Sequence, residues 1–189
     1  MQSSLSMVYD REMGSMKTML VSPIPRRFLL ISKLLAGVFV SILQVYAFLL
    51  IASFWNIIPP LSGYLTILPA LIFSGLMLGA LGMFLSSAIK QLENFAGTMN
   101  FVIFPMFFIS SALYPLWRLI DNGALYVYYI AKLNPFTYGV EMVRAASLGK
   151  FYLNGFLVCL ICTLIFLFLA VRGYNPQNNA IKKPKNKNG

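Results

Sequence analysis

Leu61–Ile89 reads LSGYLTILPALIFSGLMLGALGMFLSSAI, without one charged side chain. About a quarter of the residues of a soluble domain are charged, so its apolar stretches are soon interrupted. A run this long suits hydrocarbon, where a helix rising about 1.5 Å per residue needs about 20 residues to cross a layer roughly 30 Å thick. Leu34–Ile58, Asn94–Trp117 and Phe151–Val171 are likewise free of charge. The 189-residue chain as a whole is 59% hydrophobic and only 11% charged, with a mean hydropathy of +0.75. The fold class that follows is all-α, a polytopic transmembrane helical bundle. Four spans are expected, at about 28–58, 64–88, 95–111 and 151–171, in one membrane domain over 1–172. The lysine-rich stretch 173–189 is expected to be a disordered basic tail.

A formal net charge of +10 raises the question of nucleic acid, and the positions of the charges answer it. With four spans, Arg11, Lys17, Arg26, Arg27, Lys33, Lys90 and the basic residues from Arg172 onward fall on one side. Arg118, Lys132, Arg144 and Lys150 fall on the other. Such an excess is the positive-inside pattern, which predicts both termini in the cytoplasm. The basic balance therefore reads as topology and contact with an anionic lipid bilayer, with no nucleic acid partner.

Ahead of the first span, YDREMGSMKTMLVSPIPRR (residues 9–27) is short, charged and amphipathic. Asp10 and Glu12 stand where a helix dipole favours anions, and Met13, Met16 and Leu20 recur at helical spacing. Pro23 and Pro25 stop such a helix from running into the span. The expectation is a cytoplasmic helix over 10–22 lying along the membrane surface. Within the second span, Gly75 and Gly79 make a GxxxG, with Gly82 on nearly the same face. Small residues there let helices approach closely, and packing inside the bundle is favoured over a dimer seam.

Residues 112–150 are too apolar for an ordinary loop and too polar for one span. Two short apolar stretches are divided by Asn134-Pro135 and crowded with Tyr126, Tyr128, Tyr129, Phe136 and Tyr138. That composition suits an outer hairpin of interfacial or re-entrant helices.

Catalytic chemistry is scarce. There is no histidine, the acids number five, and no pair of them is placed for general acid/base work. No GxxxxGK[ST] motif occurs to cradle a nucleotide. Cys159 and Cys162 have the spacing of a metal or redox pair but lack any partner cysteine or histidine, so they read as small apolar residues and no metal site is expected. No acidic residue stands at the centre of a span, which weakens an ion-coupled reading. Work done by this chain would draw its energy from elsewhere.

Two stretches carry a resemblance. DREMGSMKTMLVSPIPRRFLLISKLLAG resembles the segment that type-2 ABC exporter permeases place between their second and third spans. LNPFTYGVEMVRAASLG resembles the same family's stretch before its last span. The resemblance implies that Asp10, Arg11, Glu12, Gly14, Lys17, Leu20 and Pro23 form a coupling helix docking on a separate ABC ATP-binding subunit. It implies that Asn134, Pro135, Tyr138, Glu141 and Arg144 belong to a hairpin capping the outer end of a pathway. Glu141 and Arg144, at i,i+3, are alternatively a plain surface ion pair.

The resemblance further implies a working unit of two permeases, as homodimer or heterodimer, with two ATPases in a bacterial inner membrane. ATP would be held on the partner and no cofactor on this chain, which is not itself an enzyme. The cargo would be a hydrophobic or amphipathic molecule such as a drug, lipid or lipid-linked glycan. Export is favoured over import, since no docking loop for a binding protein is recognisable. Family members carry two spans before the coupling segment, so an amino-terminal truncation or a late start codon in a longer frame is expected. The competing reading is a non-transport membrane scaffold or assembly protein, with 10–22 as a lipid-surface anchor.

Overall fold

The structure, a computed structural model, describes Val8 and residues 26–55, 61–89 and 92–173. The segment 10–22, with every residue assigned to coupling, lies outside the described residues, as do the turn at Pro59-Pro60 and the tail from 174. Among the described residues there are seven helices and no strand. They are α1 (Arg26–Ser53), α2 (Leu61–Ala88), α3 (Leu92–Ile109), α4 (Leu116–Asp121), α5 (Leu125–Leu133), α6 (Pro135–Ser147) and α7 (Leu153–Gly173).

Three stretches are long and apolar enough to cross a membrane: Leu30–Ser53, Gly63–Ala88 and Leu153–Gly173. The fourth expected crossing is a shorter apolar helix, Asn94–Ile109. It stops where Ser110 turns its hydroxyl back to the Phe107 carbonyl, at 2.6 Å, a local bond that competes with continued helix.

α2 is the most buried of the three long helices. Leu30 and Leu34 of α1 pack with Met83 of α2 and Ala170 of α7, so α1 starts at the end where α2 and α7 finish. We call this the basal end. There a Cβ on Gly173 would overlap the Ser87 side chain, which fixes the same register for α2 and α7. α2 and α7 thus run in the same direction, and the chain between them has to return to the opposite, distal end. α3 and the short helices after it make that return. The outward faces stay greasy: Phe28, Phe39 and Phe48 on α1 and Ile161, Leu164 and Phe168 on α7 are exposed. An apolar surface of this extent is a liability in water and the natural boundary against lipid tails.

The GxxxG of α2 serves contacts inside the chain. A Cβ on Gly75 would lie 3.5 Å from Val38 Cγ2, and one on Gly79 only 2.6 Å from Leu34 Cδ1. The absent side chains let α1 close on α2. Gly82, on nearly the same face, is buried, while Gly75 and Gly79 are half-buried.

The segment expected as a two-helix hairpin contains three helices. Between α4 and α5, Gly123 takes φ 69°, a left-handed conformation glycine adopts without strain. Its N–H donates to the Ile120 carbonyl and that of Ala124 to Leu119, 3.0 and 2.9 Å, the paired bonds of a Schellman cap. α6 ends the same way: Gly149 has φ 71°, with Gly149 N–H to Ala146 and Lys150 N–H to Ala145, both 2.9 Å.

Candidate functional site

α6 lies antiparallel along the distal half of α2 and against α7. Near its far end the Thr66 hydroxyl donates to the Ala146 carbonyl at 2.6 Å. Toward its start a Cβ on Gly139 would lie 3.4 Å from Ser74, 3.5 Å from Met77 and 4.0 Å from Cys159. Ser74 and Cys159 stand roughly 20 Å from the basal ends of their helices, at about 1.5 Å per residue. A hydrocarbon layer is roughly 30 Å thick. The start of α6 therefore sits inside the layer spanned by α2 and α7, and the α5–α6 junction reaches deeper still. Non-helical backbone at such a depth is tolerated where protein satisfies its polar groups.

Asn134 does much of that. Its Oδ1 accepts the Phe136 N–H at 3.0 Å, capping α6, while Nδ2 donates to the Met106 carbonyl of α3 at 2.6 Å. Asparagine is favoured at this position because a short side-chain carbonyl can meet the unpaired N–H groups of a first turn. Pro135 follows as the first helical residue, where a missing N–H costs nothing and φ is already set. One amide thus starts α6 and ties it to α3.

A second tie runs through charge. Arg144 Nη1 donates to Glu141 Oε1 at 2.6 Å, and Nη2 donates to the Ser111 carbonyl at 2.8 Å. The pair has the i,i+3 geometry expected, yet the guanidinium also holds the backbone just beyond α3. It is therefore more than a surface ion pair. Tyr138, the remaining hairpin residue, makes no such bond among the described residues. It lines a cavity of about 400 Å³ with Glu141 and Tyr152, and its carbonyl faces Gly155, where a Cβ would come within 3.0 Å. Burial, then the neighbouring Tyr138 and Glu141, raise the Tyr152 phenol above its ordinary value, which keeps it a hydrogen-bond donor.

The structure thus brings Asn134, Pro135, Tyr138, Glu141 and Arg144 together on one short helix. It adds partners with no sequence signature of their own, namely Thr66, Gly139, Ser111 and the Met106 carbonyl. Thr137 is a further addition, 1% exposed, its hydroxyl without a hydrogen-bond partner among the described residues. A threonine inside the apolar run NPFTYG was the available hint. Cys159 and Cys162 are unpaired thiols, and among the described residues no cluster could hold a metal ion.

Residues 1–148 match the family described as ABC-2 type transporter. The chain is 31% identical over 147 residues to the putative transport permease ycf38 of Porphyra purpurea, covering 76% of this chain and 49% of that protein. It is 27% identical over 148 residues to the putative transport permease ycf38 of Cyanophora paradoxa, with the same coverage of 76% and 49%. To nodulation protein J of Rhizobium leguminosarum bv. viciae it is 27% identical over 104 residues, 55% of this chain and 38% of that protein. The chain spans about half the length of the curated ycf38 relatives it matches. No solved structure matches.

Proposed function

The chain belongs to the ABC-2 type transporter family, and from that premise we propose that it is the membrane-spanning subunit of an ATP-driven exporter. In this reading a separate ATP-binding subunit docks on residues 10–22, through Asp10, Arg11, Glu12, Gly14, Lys17, Leu20 and Pro23. α3 counts as the fourth crossing, both termini face the cytoplasm, and the membrane is a bacterial inner membrane. Two permeases and two ATPases make the working unit, and the cargo is hydrophobic or amphipathic, such as a drug, a lipid or a lipid-linked glycan.

The observation that supports this reading best is a path of side-chain contacts from α1 through α2 to α6. The proposed docking segment leads into α1. α1 closes on α2 at Gly75 and Gly79, and α2 meets α6 at Thr66 and Ser74. Close-packed elements pass a displacement on because they cannot compress. A shift of α1 driven by ATPase closure would thus reach the hairpin through α2, loosening or seating the α6 plug at the distal end. ATP supplies the energy on the partner, and this chain supplies the lever and the plug.

The test is pairing. The chain is co-expressed in membranes with an ABC ATP-binding subunit, and co-purification is compared for the parent, Glu12→Arg and Leu20→Arg. Reversing one charge or burying one in an apolar contact should lower recovery of the ATPase at least tenfold, a loss of about 1.4 kcal/mol or more. Membrane levels of the chain should stay the same. Unchanged recovery with both substitutions removes the coupling assignment and favours a lipid-surface anchor instead.

A further inference from the structure

Beside α6 a cavity of about 400 Å³ opens between α4, α5, α6 and the start of α7. Two of the residues lining it lack what their chemistry requires. Lys132 stands two positions before Asn134, next to the junction that lies inside the layer. A lysine at such a depth is costly unless something anionic meets it. Glu141 also lines the cavity, but its charge is already met by Arg144 at 2.6 Å. Lys132 is left with the face of the Tyr128 ring, 5.7 Å away, a contact that neutralises nothing. The group as a whole therefore carries one positive charge in excess.

Thr137 is the second. It stands in the first turn of α6 and lines the cavity. It is 1% exposed, and its hydroxyl has no partner among the described residues. A buried hydroxyl left unpaired costs stability that a valine of the same shape would not. The first turn of a helix is also where its dipole favours an anion. The N–H groups of Phe136 and Thr137 are already taken by the Asn134 side chain and carbonyl, at 3.0 and 3.1 Å. An anion at this end is therefore held by side chains. The Thr137 hydroxyl and Lys132 ammonium come first, with the Tyr152 phenol and the Asn154 amide as further donors in the wall.

Glu141 decides which anion. Arg144 donates to its Oε1, and the carboxylate keeps acceptor capacity on its second oxygen. A fully ionised oxyanion such as sulfate is repelled there. Hydrogen phosphate keeps a P–O–H group at neutral pH, which can donate to Glu141 while ionised oxygens meet Lys132 and Thr137. The phosphodiester of a bilayer lipid has no such donor. Asn154, the second residue of α7, is exposed at the distal end, where water has access.

We infer that this cavity binds a water-borne hydrogen phosphate group, free or as a soluble monoester, between Lys132 and Thr137 at the start of α6. The ligand is a fixed tie among α5, α6 and α7, distinct from any cargo. The assignment goes beyond the permease reading and holds for the chain without its ATPase.

Phosphorus NMR tests this on the full chain in phosphatidylcholine nanodiscs, with inorganic phosphate titrated at constant ionic strength. Broadening of the free phosphate signal reports even weak binding. It should saturate as a single site and be reversed by glycerol phosphate, while sulfate should need at least tenfold more. Lys132→Gln, at an exposed position, should weaken binding at least tenfold. Thr137→Val should weaken it about tenfold, as loss of one hydrogen bond to a charged group does. Without phosphate, Thr137→Val should melt at or above the parent temperature, because the orphan hydroxyl is gone. Weaker binding by a protein that is no less stable separates ligand contact from a packing role. Glu141→Gln should bring sulfate close to phosphate.

Broadening no greater than with empty discs overturns the inference. So does sulfate that displaces phosphate as well as glycerol phosphate does, or a Glu141→Gln chain that still rejects sulfate. Unchanged affinity in Lys132→Gln or Thr137→Val overturns it too. Loss of phosphate binding when phosphatidylglycerol is added to the disc makes a lipid head the occupant and equally sinks it. ATPase pairing is not part of this measurement, so its failure and that of the exporter reading are told apart.

Discussion

α1 and α6 both lie against α2, and they are held there by different physics. α1 is long, and its contact is one of shape: Val38 and Leu34 settle over Gly75 and Gly79. α6 is short; its Met142 and Ala146 pack on Ile67, Ala70 and Met77 of α2, and directional bonds are added to that packing, Thr66 to Ala146, Asn134 to Met106 and Arg144 to Ser111. A helix that crosses the whole layer satisfies its own backbone except at its ends, where water is available. A helix that begins inside the layer has an end with no water near it. Its first N–H groups and the chain leading into it must be met by protein. The lesson is that a helix beginning at depth needs directional bonds in addition to the apolar packing that suffices for one crossing the whole layer.

The sharpest way to break this contrast is Arg144→Leu. It removes the bond to Ser111 and leaves Glu141 half-buried without its partner, a loss expected at about 2–4 kcal/mol. Unfolding of the chain by denaturant titration in mixed micelles would read it, and a change under about 0.5 kcal/mol would mean that the bonds do not hold α6. Asn134→Ala comes next, with about 2 kcal/mol for a cap and a charge-free bond together. Protease sensitivity at the α5–α6 junction should rise with it.

On the α1 side the effect should be one of volume. Gly79→Ala places a methyl against Leu34 and should cost about 2 kcal/mol, within the range for overpacking. Leu34→Ala in the same chain should recover part of that, since neighbouring substitutions couple. If the pair is simply additive, Gly79 does not set the α1–α2 distance. The smallest effect is expected at the caps. Gly149→Ala, at φ 71°, should cost about 1 kcal/mol from left-handed strain alone, without changing the Arg144 network.

Much of the fold was open to reading before any coordinates. Uncharged runs located α1, α2 and α7, and the residue pair Asn134-Pro135 marked the start of α6. What escaped was the count of helices between 112 and 150. Gly123 had the look of a loop residue, but nothing local says that the chain forms a six-residue helix before it. The helix expected over 95–111 runs instead over Leu92–Ile109, because apolarity continues past Ile109 while the Ser110 hydroxyl ends the helix with a local bond to the Phe107 carbonyl. Asn134, Pro135, Tyr138, Glu141 and Arg144 were singled out through the family resemblance. Their partners were not, since a backbone carbonyl such as that of Met106 or Ser111 has no side-chain signature.

Composition and the lengths of its uncharged runs were enough to make this chain a helical membrane protein, because hydrocarbon tolerates few alternatives. Which short helix enters the layer, and what meets its polar start, was decided only by tertiary structure. The hydrogen bonds that hold this helix join residues 28 or 80 positions apart, and such pairings arise from how helices come together, not from any local preference of the chain.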